Sequence, residues 1–229
     1  MNFSEQSSTH KTIKVLYEDE HFIVFDKSPG LLVVPSPKNE KNTLQTIVNQ
    51  QISSSDPSAR LFPCHRLDRD TSGVILFARG KENQDLMMEE FKHRRVHKTY
   101  IAFVQGKLRN PAGEIKSMIR DFEQVKYQKH SSSKLAITRY KVLTVRRQYS
   151  VVEVNPITGR TNQIPIHFSQ IGHPLLGERK YAFGKDSPLK FRRTALHALS
   201  LKWRHPIYKK EIQIQSPLPE DMERFRSQN

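Results

Sequence analysis

Residues 63–77 place an acidic side chain between two basic ones, immediately before an apolar run. The segment reads P-C-H-R-L-D-R-D-T-S-G-V-I-L-F. Asp68 lies between Arg66 and Arg69, and an arginine within a few ångströms keeps a carboxylate ionised. An ionised carboxylate at the mouth of a strand can act as a nucleophile or as a general base. Most aspartates in polar turns only shape the turn, so this feature alone assigns no function.

Two pairs of side chains allow a metal site as an alternative. Asp68 and Asp70 are two residues apart, which could suggest a metal-dependent nuclease. His93 and His97 have the i, i+4 spacing of one helical face. Arginines stand beside or between the members of both pairs, and their charge opposes the binding of a cation. The sequence therefore predicts no metal, and the nuclease remains a minor alternative.

The composition indicates a protein that binds a polyanion. Thirty-eight Lys and Arg oppose 23 Asp and Glu, which gives a net charge of +15. Such an excess is typical of nucleic-acid binding, whereas solubility alone is served at least as well by acidic residues. One cysteine, Cys64, excludes an internal disulfide and fits a reducing compartment, where it is most simply a packed side chain. Residues 1–10 lack the apolar core of a secretory signal, so we expect a cytoplasmic protein without membrane contact.

Short apolar runs outnumber the helical patterns and must position Asp68. Alternation and β-branched content predict strands at 13–17, 22–26, 74–78, 99–104, 135–145, 151–154, 194–203 and 211–214, and 31–34 is a further short apolar run. Helices are expected over 44–52, capped by Thr43, and over 81–92. Because strands and helices do not alternate regularly, the fold class is α+β rather than doubly wound.

Five sequence blocks resemble, in order, the motifs of the RluA-type RNA pseudouridine synthases. Residues 63–77 resemble the family's H-R-L-D-x-x-T-S-G signature. The other blocks are V-L-Y-E-D-E-H-F-I-V-F-D-K-S-P-G-L-L-V-V-P from residue 15, K-T-Y from 98, T-G-R-T-N-Q-I from 158 with a later G-H-P, and L-H-A from 196 with a later H-P. The likeness covers about residues 12–219, and five ordered blocks are far more specific than one short pattern.

The resemblance implies a mixed, largely antiparallel central sheet flanked by helices, with the active-site cleft across it. We expect a disordered tail at 1–11 and one catalytic domain at 12–229, without a separate N-terminal RNA-binding domain. The implied reaction converts specific uridines to pseudouridine. It needs no cofactor, because uracil is both the leaving group and the nucleophile. The expected partner is ribosomal RNA, transfer RNA or both, and the protein is expected to be a monomer.

The resemblance also implies roles for individual residues. Asp68 is the catalytic carboxylate, and Tyr100 lies against the target base and is the candidate for the final proton abstraction. The implied substrate-binding residues are Arg66, His65, Thr71, Arg160, Gln163 and Leu196. Arg66 is a plausible wedge in the space that the flipped nucleotide leaves. The basic runs at 92–95, 179–180 and 192–193 are expected to contact phosphates.

The chain departs from the family pattern at two positions. Asn162 replaces a histidine, which is a mild change because asparagine also donates and accepts hydrogen bonds. Pro165 replaces a basic residue that pairs with the catalytic carboxylate, although in the first turn of a helix its backbone is tolerable. If Arg160 or Arg66 supplies the lost charge, the protein is an active enzyme. If neither does, it is a non-catalytic RNA-binding relative.

Overall fold

The computed structural model describes residues 13–36, 40, 42–53, 59–120, 133–182 and 189–229. Within them, ten strands form one sheet and four helices pack against it. The tail expected at residues 1–11 lies outside the described part. No helix of the described part is long and apolar enough to cross a membrane.

The strands and helices alternate irregularly along the chain. The strands are β1 (Lys14–Glu18), β2 (Phe22–Lys27), β3 (Leu61–Pro63), β4 (Ser72–Arg79), β5 (His97–Gln105), β6 (Ala112–Arg120), β7 (Ser133–Val145), β8 (Tyr149–Pro156), β9 (Leu196–Arg204) and β10 (Glu211–Gln215). The helices are α1 (Leu44–Ser53), α2 (Lys81–Lys92), α3 (Gln163–Gln170) and α4 (Glu220–Gln228). This arrangement confirms the α+β fold class.

The sheet is mixed and largely antiparallel, as expected. Its order is β1-β2-β4-β9-β5-β8-β7-β6, with β3 paired to β4 and β10 paired to β9. Among these strands, β4 and β9 form the one parallel pair, in which Gly73 lies opposite Ala198. Gly73 has a φ of 107°, and a Cβ there would lie 2.2 Å from the carbonyl oxygen of Ala198. The strand that follows Asp68 therefore joins the centre of the sheet through a contact that only glycine permits.

Helices cover both faces of the sheet, which explains the long apolar run in β4. Ile75 and Phe77 point to one face, where they pack with Leu44 of α1 and Phe168 of α3. The alternate residues of β4 pack with Met87 of α2 on the other face. A strand that is buried on both faces has no polar side and reads as continuous apolar sequence. β4 therefore leads from the Asp68 turn directly into the core.

Most predicted elements are confirmed, and the exceptions have physical reasons. Helix α1 begins after Thr43, whose hydroxyl accepts a hydrogen bond from the backbone nitrogen of Thr46 at 3.3 Å, as a cap should. The apolar run at 31–34 forms no strand, and Leu32 makes an isolated bridge to Thr43. β3, β6 and α4 were not predicted. β6 is largely exposed, and its charged residues interrupt the apolar pattern, so its pairing with β7 defines it.

Candidate active site

A cleft of about 540 Å³ opens where the Asp68 turn, the start of β5 and the turn before α3 meet. All eight residues predicted for the site line it: Asp68, Tyr100, Arg66, His65, Thr71, Arg160, Gln163 and Leu196. They come from four separate parts of the chain, and the fold brings them together. Their individual roles remain predictions.

Lys27, at the end of β2, fixes the backbone just after Asp68. Its side chain is fully buried, and its Nζ donates hydrogen bonds to the carbonyl oxygens of Arg69 at 2.9 Å and Thr71 at 2.8 Å. Burial lowers the pKa of Lys27 to about 7, while the charges of Asp70 and Asp68 act in the opposite direction. Lys27 thus lies behind the loop, and its protonated form is close enough to interact with the charge of Asp68.

Arg193 holds the same loop from the other side. Its guanidinium is buried and donates to the carbonyl oxygen of Asp70 at 2.9 Å, to the hydroxyl of Ser72 at 3.3 Å and to the carboxylate of Asp221 at 2.7 Å. The expectation that Arg193 contacts phosphate is therefore wrong, because its donors are used inside the protein. Arg193 and Lys27 together bind three successive carbonyl groups, those of residues 69–71.

Tyr100 projects from β5 into the wall of the cleft and is nearly buried, at 8% exposure. Burial raises the pKa of its phenol, and the negative charge of Asp68 raises it further. The two side chains are therefore close enough to interact electrostatically. The phenol is protonated near neutral pH, which suits a ring that stacks on a base and opposes its action as a free phenolate base.

His65 and Gln163 use polar side-chain atoms in hydrogen bonds within the protein. The His65 ring accepts a hydrogen bond from the Leu76 backbone at 3.1 Å, and burial lowers its pKa to about 3, so it is neutral. The Gln163 side-chain oxygen accepts from the Thr158 hydroxyl at 2.6 Å and the Arg160 backbone at 3.0 Å. Its amide group donates to two groups of β7. These contacts favour a role in shaping the walls of the cleft over the predicted contact with substrate.

The start of α3 contains both departures from the family pattern. Asn162 precedes the helix with a left-handed φ of 52°, and its amide donates to the Tyr181 hydroxyl at 3.0 Å. Pro165 is in the first turn, as expected, where a missing N–H leaves no helical hydrogen bond unmade. Pro165 is buried and lines the cleft with Asp68. No basic side chain projects from this position.

A second, smaller pocket of about 250 Å³ adjoins the first on the other side of Asp68. Asp68, Thr71, Asn162 and Pro165 line both pockets. The basic residues of the second pocket are Arg69, Arg179, Lys180, Arg192 and Arg193. Basic runs therefore approach Asp68 from two directions, and the guanidinium of Arg69 is paired with the carboxylate of Glu40.

Comparison with known proteins identifies the family. A family model described as RNA pseudouridylate synthase matches residues 21–170. The RNA pseudouridine synthase YhcT of Bacillus subtilis is 32% identical over 96% of this chain and 74% of its own length. This chain belongs to the RluA-type RNA pseudouridine synthases. Other relatives include the dual-specificity RNA pseudouridine synthase RluA of Vibrio cholerae, 35% identical over 85% of this chain and 78% of the relative. The ribosomal large subunit pseudouridine synthase D of Xanthomonas campestris is 33% identical over 94% and 69%.

Solved structures of pseudouridine synthases share the fold. Human RNA pseudouridylate synthase domain containing 4 superposes with a TM-score of 0.75 at 25% identity, over 93% of this chain and 92% of that one. Human RNA pseudouridylate synthase domain containing 1 gives a TM-score of 0.70, also at 25% identity, over 93% and 86%. The ten-stranded sheet is therefore the pseudouridine synthase sheet, and the protein is an isomerase that acts on RNA.

Sequence patterns assigned no role to Lys27, which this pseudouridine synthase places behind the Asp68 loop, or to Lys98, which it places in the wall of the cleft. Lys27 ends the apolar run F-I-V-F-D-K. The signal that could have identified it as a buried residue is its place at the end of a buried strand. Lys98 is part of the K-T-Y block and lines the cleft, but the block by itself assigned no role to the lysine side chain. Both assignments required the three-dimensional arrangement.

Proposed function

We propose that this protein converts specific uridines of ribosomal RNA, transfer RNA or both into pseudouridine in the cleft beside Asp68. The observation that carries the proposal is the charge pattern of the cleft. Among the described residues that line it, Asp68 is the one carboxylate, and it accompanies five cations: Arg66, Lys92, Arg94, Lys98 and Arg160. The name of the Xanthomonas relative refers to the large ribosomal subunit, and the name of the Vibrio relative refers to RNA and to dual specificity. Both names support RNA as the substrate.

The reaction needs one carboxylate at the sugar and a surface that holds the detached base. The C1′–N1 bond breaks and its electrons leave with the uracil, which turns so that C5 bonds to C1′. N1 then gains a proton and C5 loses one, so atoms and electrons balance without a cofactor. Asp68 acts at the sugar as nucleophile or base. Tyr100 stacks on the uracil while it turns.

The target nucleotide must leave its stack to reach the cleft. Extruding a base costs a few kcal/mol, which contacts with the protein must offset. Arg66 is exposed at the rim of the cleft and next but one to Asp68, where it can fill the vacated space. The basic residues of both pockets supply phosphate contacts on either side.

The cations around Asp68 favour an active enzyme over the non-catalytic alternative. Arg66 and Arg160 line the same cleft as Asp68, and Lys27 interacts with its charge from behind. These three side chains supply positive charge that Pro165 does not. The loop that carries Asp68 is also held at successive carbonyl groups, which suits a carboxylate that must be placed accurately.

The direct test replaces Asp68 with asparagine. Asp68→Asn keeps the shape of the side chain but removes its charge, so we expect pseudouridine formation to fall below about 1% of the native rate. Folding and much of the RNA affinity should persist. Pseudouridine is measured by sequencing RNA from cells that lack the protein, after incubation with each variant.

The matched control is Asp85→Asn, which makes the same change on the exposed face of α2, where Asp85 pairs with Lys81. This variant should retain native activity. Residual turnover of Asp68→Asn above a few per cent of native would show that another group performs the chemistry. A native protein that binds RNA but forms no pseudouridine would favour the non-catalytic alternative.

A further inference from the structure

Lys98 places an ammonium group in the wall of the cleft, away from its open rim. It lies at the start of β5, two residues before Tyr100, so both side chains leave the same face of the strand. Its Nζ lies 3.5 Å from the position that a Cβ would take on Gly159. The ammonium therefore lies within van der Waals distance of the turn before α3.

This ammonium has no protein partner among the described residues. No hydrogen bond or ion pair there involves the Nζ of Lys98. Burial lowers its pKa to about 8, and no carboxylate charge acts in the opposite direction. The charge of Lys98 acts on His65, which is neutral near pH 7. A cation that is partly removed from water without an anion is unfavourable in the free protein.

Two other cations of the cleft, unlike Lys98, have a partner within the described part of the protein. Lys92 is exposed and pairs with Glu89 at 3.0 Å. Arg160 donates to the carbonyl oxygen of Leu135 at 3.3 Å. Of these three cations, only Lys98 is both partly removed from water and without a hydrogen-bond partner for its ammonium among the described residues. An anionic ligand would therefore stabilise Lys98 more than the other two.

We propose that Lys98 binds a phosphodiester of the RNA strand that carries the target uridine. This inference rests on the proposed function and specifies one contact of the same site. Phosphodiesters are the permanent anions of RNA at neutral pH, whereas uracil is neutral until its glycosidic bond breaks. Lys92 and Arg94 line the same cleft and continue the positive surface towards solvent. The strand then passes Lys98 as it enters the cleft.

A contact to phosphate exists before and during the reaction, so it acts on binding. Its loss raises KM and the dissociation constant while kcat stays unchanged. A cation that instead stabilised the departing uracil would act only as negative charge develops. Its loss would lower kcat with little change in KM. The two roles of Lys98 therefore have opposite kinetic signatures.

The test compares Lys98→Met and Lys98→Arg with the native protein. The binding probe is an oligouridylate of about nine nucleotides. We expect Lys98→Met to bind it about 10- to 100-fold more weakly, as for the loss of a charged hydrogen bond. The log–log salt slope should become shallower by about 0.7. Lys98→Arg keeps the charge and should recover most of the affinity.

The control is Lys202→Met, which removes one charge from β9 outside both pockets, where Lys202 pairs with Glu211. It should bind within about twofold of native, because exposed charges act weakly at a distance. Lys98→Arg and Lys202→Met should unfold near the native midpoint temperature, and Lys98→Met at or above it, because that variant removes an unpaired, partly desolvated charge. A Lys98→Met variant that folds and binds as tightly as Lys202→Met overturns the inference.

Turnover on the RNA that the native protein modifies separates this inference from the proposed function. A lower kcat with unchanged KM in Lys98→Met would overturn the phosphate contact and leave the isomerase intact. If the native protein forms no pseudouridine, yet Lys98→Met still weakens oligouridylate binding, the isomerase proposal fails and the phosphate contact stands.

Discussion

Asp68, the proposed catalytic carboxylate, and Pro165, where the resemblance leads us to expect a basic residue, line the same cleft. The positive charge near Asp68 comes instead from other parts of the chain. Lys27 reaches the loop from the end of β2, and Arg66 and Arg160 reach the cleft from its walls. Positive charge near Asp68 can thus be supplied by several side chains. Among the described residues that line the cleft, no other side chain supplies a carboxylate.

Restoring the family's basic residue tests this compensation. Pro165→Arg returns a guanidinium to the first turn of α3, next to the space shared by the two pockets. Because three cations already surround Asp68, we expect turnover to change by less than about 10-fold, the effect of one pKa unit at a catalytic group. Single-turnover rates of pseudouridine formation measure the change.

A matched variant, Ile171→Arg, adds the same charge at the exposed end of α3, outside both pockets. It controls for the general effect of one more positive charge on RNA binding. The compensation argument fails if the native protein is inactive and Pro165→Arg, but not Ile171→Arg, produces pseudouridine.

The sequence located Asp68 because its neighbours form a recognisable block, but it could not reveal the side chains that support it. Lys27 contacts carbonyl groups 42 and 44 residues further along the chain. No local spacing encodes a contact over that distance. Arg193 illustrates the same limit, because it resembled its exposed neighbour Arg192 until its buried partners were known.

The parallel pair of β4 and β9 anchors the strand that follows the Asp68 loop. Gly73 of β4 approaches Ala198 so closely that a Cβ would lie 2.2 Å from its carbonyl oxygen. Gly73→Ala should therefore destabilise the protein by about 3 kcal/mol or more, from overpacking plus an unfavourable φ. Because Asp68 precedes β4, activity should also fall. Unfolding in denaturant measures the stability.

Gly80→Ala separates the cost of the positive φ angle from the cost of the close contact. Gly80 precedes α2 with a φ of 82°, but nothing lies within 4 Å of its Cβ position. Its replacement should cost only about 1–2 kcal/mol, the penalty of the backbone angle. Equal destabilisation by the two substitutions would show that the close approach of β4 to β9 contributes nothing.

The sequence predicted elements whose own side chains carry the signal and missed those that depend on a neighbour. The helix expected over 81–92 is α2 (Lys81–Lys92), because its apolar residues recur at helical spacing. β3 has only three residues and ends in Pro63, and α4 buries a single residue, Met222. Such elements are defined by the sheet edge or core that they join, so their sequences carry little periodicity.

The net charge of +15 is distributed unevenly over the whole molecule. Part of it is internal, since Lys27 and Arg193 are buried and donate hydrogen bonds to the loop that carries Asp68. The rest includes cations of the two pockets on either side of Asp68. A strand of RNA that lies across both pockets would meet positive charge before and after the flipped uridine. The charge that composition reveals is thus partly structural and partly available for binding.

This distribution predicts a strong dependence of RNA binding on salt. Apart from buried Arg193, the pockets offer nine cations: Arg66, Arg69, Lys92, Arg94, Lys98, Arg160, Arg179, Lys180 and Arg192. If between four and nine of them contact phosphates, the log–log slope for a single strand should be about −3 to −6, at roughly 0.7 per contact. Affinity for the oligouridylate is measured from about 50 to 300 mM KCl. The unfolding midpoint over the same range checks that the fold is intact. An affinity that stays constant across this range, in a protein that remains folded, would exclude the proposed path of the RNA across the two pockets.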